Sequence, residues 1–348
     1  MPCLCRPLRG ARSNPTLAAC DVNNPEYCEP VPIENQPDFD RFRIARLTAL
    51  FGLWYFLNVA YNIGNKLVLT AFPMPWTAAT WELFFGFPYV FLLWTSGIRK
   101  APKLSWKAIR LLAPSGFFLA GTHVGGVISF GAGAISFTHV IKATEPVWSA
   151  LISAVFFREY LKWPVYATLI PIIGGVSLAS ITELSFTWMS FTAALLSAVA
   201  SAAKAIISKK VMDRPEPLGE NLTASNQFAV LSILGFLFIL PVSLVLEGPG
   251  RAAAAWSAAL AKGYTNAHML KLLSVSGFLY YLYNEVAFLA LSEVAPVTHA
   301  VTNTVKRVVI ILVSVLFFRT PISPLGIIGS SLAILGATAY SLAKGKWK

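Results

Sequence analysis

The sequence predicts an all-α membrane protein whose ten transmembrane helices form two inverted five-helix repeats. Of its 348 residues, 56% are hydrophobic and only 13% are charged, and the mean hydropathy is +0.62. This composition is typical of a polytopic membrane protein and excludes an ordinary soluble globule. Two further observations support the predicted fold: a nearly continuous series of hydrophobic segments and an internal sequence repeat.

The hydrophobic segments begin near residue 47, and each is about long enough to cross a bilayer as a helix. Gly and Pro are frequent inside them, which membrane helices tolerate because neighbouring groups satisfy the backbone. The ten predicted spans are 47–70, 76–97, 108–131, 133–156, 163–182, 187–209, 223–246, 268–290, 294–318 and 323–343.

Basic residues in the connecting loops predict the orientation of these spans, because Lys and Arg accumulate on one side of a membrane. With ten spans, both termini lie on the basic side, as an even number requires. That side holds sixteen basic residues, which are Arg41, Arg43, Arg46, Arg99, Lys100, Lys103, Lys107, Arg110, Arg158, Lys162, Lys209, Lys210, Arg214, Lys344, Lys346 and Lys348. The opposite side holds four, which are Arg251, Lys262, Lys271 and Arg319.

The internal repeat relates residues 138–180 to residues 298–341. Both stretches begin with Thr-His, continue to Phe-Phe-Arg and end in segments rich in small residues, at offsets of 160 to 162. The repeat equates the fourth and fifth spans with the ninth and tenth, so that each half has five helices and the halves insert with opposite orientation. Inverted repeats of this kind are typical of transporters. The predicted boundaries are a disordered tail (1–45), the first repeat (46–185), the second repeat (186–344) and a C-terminal tail (345–348).

A pair of basic residues inside the ninth span predicts a polar cavity. Lys306 and Arg307 are adjacent and lie near the middle of the span. Together they cost roughly 5–7 kcal/mol at the centre of an inserted helix, so they are not expected to face lipid. We expect them to face a cavity inside the helix bundle. The alternatives are snorkelling to a helix end or a salt bridge to a neighbouring helix.

The predicted spans contain more bases than acids. An excess of positive charge in a low dielectric needs an anion, and the planar fork of Arg combined with the compact charge of Lys suits phosphate. The residues therefore predict a carrier for a small phosphorylated or otherwise multiply anionic metabolite. The bases are Lys66, Lys142, Lys204, Lys306 and Arg307, and the acids are Glu82, Glu145 and Glu285.

Several of these residues have a simpler interpretation as structural groups. Lys142 and Glu145 are three residues apart and could form a closed ion pair. Lys66 lies near the end of the first span and could snorkel to the interface instead of binding a ligand. Glu82 could be a counter-ion for a basic residue, and His139 is expected to pack or to form a hydrogen bond.

Other classes of function lack support in the sequence. No Walker A, H-E-x-x-H or G-x-S-x-G motif is present, so no enzymatic reaction or coupling to ATP is predicted. All four cysteines lie in the first 28 residues, which predicts neither a metal site nor a cofactor in the spans. The net charge of +12 reflects basic loops and does not imply binding to nucleic acid.

Five runs of residues resemble the plastid phosphate translocator family, which comprises sugar-phosphate/phosphate antiporters of the drug/metabolite transporter superfamily. The similarity extends from about residue 45 to residue 344, and the last run is the most specific. The runs are WYFLNVAYNIGNK (54–66), SFTHVIKATEP (136–146), ISKK (207–210), YLYNE (281–285) and APVTHAVTNTVKRV (295–308).

The resemblance implies a multi-pass carrier of the plastid envelope with the drug/metabolite transporter fold. It would exchange inorganic phosphate for a phosphorylated C3 metabolite (triose phosphate, 3-phosphoglycerate or phosphoenolpyruvate) by alternating access, as a monomer or a homodimer. A hexose- or pentose-phosphate antiporter is the first alternative, followed by a nucleotide-sugar antiporter. An anion channel and a membrane phosphotransferase are alternatives from other classes.

The resemblance also implies roles for individual residues. Phosphate would bind to Lys142, Lys306 and Arg307, with Tyr283 and His123 as hydrogen-bonding partners. Lys204 and Lys66 match two further positions at which relatives carry basic residues. The sequence departs from the family pattern at Gly126, where relatives can carry a small hydroxyl side chain, and this leaves the organic part of the substrate open.

Overall fold

The computed structural model describes residues 37–212, 218–294 and 296–347. These residues form α-helices and one short pair of β-strands. The helices are α1 (Pro37–Ala71), α2 (Pro75–Phe84), α3 (Gly86–Thr95), α4 (Trp106–Ala132), α5 (Ile135–Lys142), α6 (Glu145–Phe157), α7 (Trp163–Ala167), α8 (Leu169–Ile181), α9 (Trp188–Met212), α10 (Ala224–Leu246), α11 (Gly248–Ala261), α12 (Asn266–Glu293), α13 (Pro296–Phe318) and α14 (Pro324–Lys346). The strands are β1 (Lys103–Leu104) and β2 (Gly219–Glu220).

Nine helical stretches in the described residues are long and apolar enough to cross a membrane. The prediction of an α-helical membrane protein is therefore confirmed. The predicted span that is missing from the nine is 76–97, which consists of the two ten-residue helices α2 and α3 with Phe85 between them. Pro88 explains this interruption, because proline has no N–H to donate to the carbonyl of Phe84.

A proline also interrupts the predicted span 133–156, at a place that matters for function. Helix α5 ends at Lys142 and α6 begins at Glu145. Pro146 follows immediately, and it cannot donate the hydrogen bond that the carbonyl of Lys142 would receive in a continuous helix. Lys142 therefore lies at the end of one helix and Glu145 at the start of the next.

The structure differs from the sequence prediction at the start of the described chain. Helix α1 begins at Pro37, inside the segment 1–45 that was predicted to be a disordered tail. Proline suits the first turn of a helix because its fixed φ angle is already helical. The prediction for residues 1–36 lies outside the described residues. Contacts divide the chain into one unit that ends at Thr48 and a second that begins at Ala49.

The two short strands were not predicted by the all-α interpretation. They pair antiparallel, with Lys103 opposite Glu220 and Leu104 opposite Gly219. The Nζ atom of Lys103 also lies 2.8 Å from a carboxylate oxygen of Glu220. Because each strand has only two residues, no alternating pattern exists in the sequence that could have revealed them.

Glycines bring α8 and α14 into close contact. A β-carbon at Gly175 would lie 2.6 Å from the carbonyl oxygen of Gly329, and one at Gly329 would lie 2.6 Å from the amide nitrogen of Ala179. Such close approach of two backbones through small residues is a common way for membrane helices to associate. The neighbouring Gly174 has no atom within 4 Å of its β-carbon position.

We predict that Gly175→Ala destabilises the protein and that Gly174→Ala does not. The new methyl group at position 175 would meet the backbone of α14, which cannot move aside as a flexible side chain can. The expected loss is about 1–3 kcal/mol, the usual range for overpacking. Thermal unfolding in detergent would measure it, with Gly174→Ala as the matched control on the same helix. Equal unfolding temperatures for the two variants would contradict the described α8–α14 contact.

Candidate functional site

Arg307 of α13 is held at the break between α5 and α6. Its Nη1 atom donates a hydrogen bond of 2.6 Å to the carbonyl oxygen of Lys142, and its Nη2 atom forms an ion pair with Glu145. Pro146 explains why this carbonyl is available, since proline leaves it without its helical partner. The guanidinium group thus binds two acceptors at once, which its planar fork permits and an ammonium group does not.

Glu145 joins this contact to α9. Its Oε1 atom accepts a hydrogen bond of 2.8 Å from the hydroxyl of Ser201. Lys204 follows Ser201 by three residues, shares its helical face, and interacts electrostatically with Glu145. Among the described residues, the ion pair of Glu145 is with Arg307. The structure therefore does not contain the closed Lys142–Glu145 pair that was the alternative.

Lys142 and Lys306 complete a cluster of four basic side chains around one carboxylate. The Nζ atom of Lys142 lies 3.4 Å from the position that a β-carbon would take at Gly126 of α4. The Nζ atom of Lys306 lies 4.5 Å from the centre of the Trp54 ring of α1, a cation–π contact. Lys142, Lys204 and Lys306 are half-buried and lie inside predicted spans. We call Lys142, Lys204, Lys306, Arg307 and Glu145 the cation cluster.

A second polar cluster surrounds Glu82 of α2, whose side chain is buried. Its carboxylate accepts hydrogen bonds from the hydroxyl of Tyr61 (3.0 Å), from Nδ2 of Asn65 (2.6 Å) and from the hydroxyl of Ser276. The Nε2 atom of His123 lies 3.1 Å from Glu82 Oε2, without a well-aligned hydrogen bond between them. His123 is thus the basic residue beside Glu82, and the role of Glu82 as its counter-ion stays a prediction. We call Glu82, His123, Tyr61, Asn65 and Ser276 the Glu82 cluster.

The two clusters are neighbours along α4. His123 belongs to the Glu82 cluster, and Gly126, beside the ammonium group of Lys142, follows it by three residues on the same helical face. Three residues of a helix rise roughly 4.5 Å. Tyr283 of α12 also lies near the Glu82 cluster, with its ring centre 5.0 Å from that of Tyr61.

Lys66 lies elsewhere in this structure. Its Nζ atom donates to the carbonyl oxygens of Phe130 (2.6 Å) and Gly133 (2.9 Å), at the C-terminal end of α4. A lysine at this place satisfies carbonyls that the helix leaves without partners. The structure therefore places five of the seven predicted site residues in the two clusters and Tyr283 beside the Glu82 cluster, whereas Lys66 lies at the end of α4. One turn earlier on α1, Asn62 Oδ1 lies 2.9 Å from Nε2 of His139, which agrees with the expected hydrogen-bonding role of that histidine.

The third acid, Glu285 of α12, forms a buried ion pair with Arg99. Sequence analysis placed Arg99 in a loop and did not connect it with the spans. It also gave no role to Trp54, Tyr61 or Ser201. These residues are aromatic or small and occur in apolar segments, where the sequence does not distinguish a contact with the site from ordinary helix packing.

Comparison with known proteins adds a decisive observation. The sequence profile of the Triose-phosphate Transporter family matches residues 45–341. The chain belongs to this family. It is a transporter and not an enzyme, and it is a multi-pass membrane protein of the plastid envelope.

Relatives in the family carry several substrate names. The chain is 40% identical to phosphoenolpyruvate/phosphate translocator 3 of Oryza sativa subsp. japonica, over 86% of this chain and 75% of the relative. It is 38% identical to the triose phosphate/phosphate translocator of Flaveria trinervia (85% and 71%) and 36% identical to glucose-6-phosphate/phosphate translocator 2 of Arabidopsis thaliana (88% and 78%). All three are chloroplastic. A solved crystal structure superposes with a TM-score of 0.50 at 14% identity, over 86% of this chain and 99% of that one, and supports the fold alone.

We predict that Glu145→Gln destabilises the protein when chloride is the added salt and that inorganic phosphate restores part of the loss. Removing the carboxylate leaves Arg307 beside the other basic groups without its charged partner. The expected loss is about 2 kcal/mol, a typical value for a hydrogen bond to a charged group. Thermal unfolding with chloride or phosphate as the added salt would measure both effects.

Glu159→Gln is the control for this prediction. Glu159 pairs with Lys210 at the exposed surface, so its replacement is expected to change stability by less than about 0.5 kcal/mol. If Glu145→Gln unfolds at the same temperature as Glu159→Gln in chloride, the ion pair between Arg307 and Glu145 has no structural importance.

Proposed function

We propose that this protein is an antiporter that exchanges inorganic phosphate for a phosphorylated C3 metabolite by alternating access. The observation that carries the proposal is the cation cluster, in which four basic side chains surround a single carboxylate. Basic groups in a low dielectric repel one another and require a counter-charge, and a divalent phosphate group supplies it. The names of the relatives, which pair phosphate with a phosphorylated metabolite, support the same function.

In this proposal the predicted site residues divide into two groups. Lys142, Lys306 and Arg307 bind the phosphate group, and Lys204 adds positive charge from α9. His123 and Tyr283 bind the organic part of the substrate. Lys66 stays a prediction as a substrate contact, because in the described conformation its ammonium group is bound to the end of α4.

The same charges give a physical reason for obligatory exchange. Bound phosphate neutralises Lys142, Lys306 and Arg307, so that the helices which carry them can close around it. An empty carrier retains the repulsion and closes less readily. A ligand shifts a conformational equilibrium only through such a difference in affinity between states. Transport without a counter-substrate is therefore slow.

The proposed architecture is ten spans in two inverted repeats, 46–185 and 186–344, followed by a short tail, 345–348. In it, α2 and α3 together form the second span, interrupted at Phe85. The contact between α8 and α14 supports the arrangement, because the sequence repeat equates these helices as the last of each half.

We propose a monomer or a homodimer in the lipid bilayer.

A hexose- or pentose-phosphate/phosphate antiporter is the second candidate. Gly126 favours it, because the absence of a side chain at this position leaves room beside the ammonium group of Lys142. Relatives named for glucose 6-phosphate and for xylulose 5-phosphate are each 36% identical to this chain. A nucleotide-sugar antiporter is a more distant alternative, for which no described feature speaks specifically.

Uptake of labelled phosphate into proteoliposomes tests the proposal. The vesicles are preloaded in turn with phosphate, dihydroxyacetone phosphate, 3-phosphoglycerate, phosphoenolpyruvate, xylulose 5-phosphate, glucose 6-phosphate or buffer alone. We expect uptake with phosphate or a C3 phosphate inside and little with buffer. Equal uptake into buffer-loaded vesicles would contradict exchange and indicate a channel. Fastest uptake with a pentose or hexose phosphate would select the second candidate.

We predict that Lys306→Met reduces phosphate exchange by at least about 100-fold, or about 2.8 kcal/mol at 1.4 kcal/mol per factor of ten. Methionine is flexible and only one atom shorter than lysine, and it removes the charge together with the cation–π contact to Trp54. Initial rates of exchange in phosphate-loaded vesicles measure the effect. Lys271→Met is the control, since Lys271 is an exposed lysine at the start of α12 and its replacement is expected to leave the rate unchanged. Similar rates for the two variants would remove Lys306 from the proposed site.

A further inference from the structure

The Nε2 atom of His123 is buried beside Oε2 of Glu82, 3.1 Å away, and the two form no well-aligned hydrogen bond. A buried polar atom in this state is costly and requires an explanation. His123 lies one turn of α4 away from Gly126 and the ammonium group of Lys142. In the proposed function, His123 binds the organic end of a molecule whose phosphate lies in the cation cluster.

Glu82 gives this part of the site an unusual charge. Both of its carboxylate oxygens accept hydrogen bonds, Oε1 from Asn65 and Ser276 and Oε2 from Tyr61. An ionised carboxylate accepts at both oxygens, so these three donors suit its charged form. The polar groups that contact Glu82 in the described residues are Tyr61, Asn65, Ser276 and His123, and of these only the imidazole can carry a positive charge.

We propose that Glu82 makes the carrier select phosphorylated substrates whose organic end is uncharged over those that carry a carboxylate there. The inference rests on the proposed function and narrows its substrate class. It favours triose phosphates and other hydroxy- or oxo-phosphates over phosphoglycerate and phosphoenolpyruvate.

The selection follows from the position of one imidazole between two acceptors. A substrate carboxylate at Nε2 of His123 would place a second negative charge beside Glu82, whose oxygen is 3.1 Å from the same nitrogen. Two carboxylates that share a site repel each other strongly. A hydroxyl or carbonyl group at the same place accepts the hydrogen bond of His123 without this repulsion.

Two probes with the same carbon skeleton isolate the effect. Glycerol 3-phosphate and 3-phosphoglycerate differ in having a hydroxymethyl group or a carboxylate at the end opposite the phosphate. The assay uses phosphate-loaded proteoliposomes with the wild-type protein. We expect half-maximal inhibition of phosphate uptake at a concentration of glycerol 3-phosphate about tenfold lower than that of 3-phosphoglycerate. This ratio corresponds to a difference of about 1.4 kcal/mol in binding free energy. Equal inhibition by the two probes would overturn the proposal.

Glu82→Gln tests the assignment to this residue. The amide has the same shape and can donate to neutral His123 and to Tyr61, so the ratio between the probes should fall to within about twofold. Glu285→Gln is the matched control, because it also removes a buried carboxylate, in this case the partner of Arg99. In this variant the ratio between the two inhibitory concentrations should stay near tenfold. A tenfold ratio in Glu82→Gln, with phosphate–phosphate exchange intact, would overturn the proposal.

His123→Gln provides a second test if Glu82→Gln fails to fold. It removes the imidazole and keeps the carboxylate of Glu82, so the preference for glycerol 3-phosphate should stay at tenfold or increase. A fall of the ratio towards one would show that His123 alone selects the substrate and would overturn the role of Glu82. Phosphate–phosphate exchange separates this proposal from the proposed function. Its absence in the wild-type protein contradicts antiport itself, whereas its presence without discrimination contradicts only the selection by Glu82.

Discussion

The carbonyl oxygen of Lys142 is the atom on which the arrangement of the cation cluster depends. Pro146 leaves it without a helical partner, and a buried carbonyl in that state must find another donor. Arg307 supplies the donor through Nη1, which fixes the guanidinium group so that Nη2 meets Glu145. Glu145 lies in the first turn of α6, where the helix dipole also favours a negative charge. One proline thus determines which acid and which base are paired.

The residues of the candidate site could be selected from the sequence, but the pairing among them could not be predicted. Charged residues in the middle of apolar spans are costly wherever they point, so the sequence alone identifies them as candidates for a site. The spacing of Lys142 and Glu145 suggested an ion pair on one helical face. That argument requires a continuous helix, and the break at residues 143–144 removes it. The true partner of Glu145, Arg307, lies 162 residues away in the sequence, a separation across which periodicity carries no information.

The fold class could be predicted from the sequence, but the break between α2 and α3 could not. Composition and hydrophobic segments were sufficient for an α-helical membrane protein, because the hydrocarbon core of a bilayer requires long apolar helices. They did not predict that α2 and α3 are separate, since proline inside a membrane helix produces either a kink or a break, depending on its neighbours. At Gly86 the neighbour is the ring of Tyr281, 2.5 Å from the position of a β-carbon. That contact involves α12 and is invisible in the local sequence.

Polar side chains of helix α1 bind to four other helices. Asn65 binds Glu82 of α2, Asn62 lies beside His139 of α5, and Lys66 binds the end of α4. Further along the same helix, Tyr55 donates a hydrogen bond of 2.6 Å to the carbonyl oxygen of Thr302 in α13. A relative movement of any of these four helices would break or exchange a buried hydrogen bond with α1. Such bonds have discrete alternatives rather than a continuous range, which favours a small number of well-defined conformations.

The three acids of the described spans differ in what they leave for a substrate. Glu285 is paired with Arg99, and Glu145 is shared between Arg307, Ser201 and the charge of Lys204. Four basic groups of the cation cluster thus share the single carboxylate of Glu145, so the cluster would attract the doubly charged phosphate end of a substrate. Glu82 adds negative charge about one helical turn away, beside the position expected for the organic end. The site would therefore have opposite electrostatic preferences at its two ends, and a substrate with one anionic end and one neutral end would satisfy both.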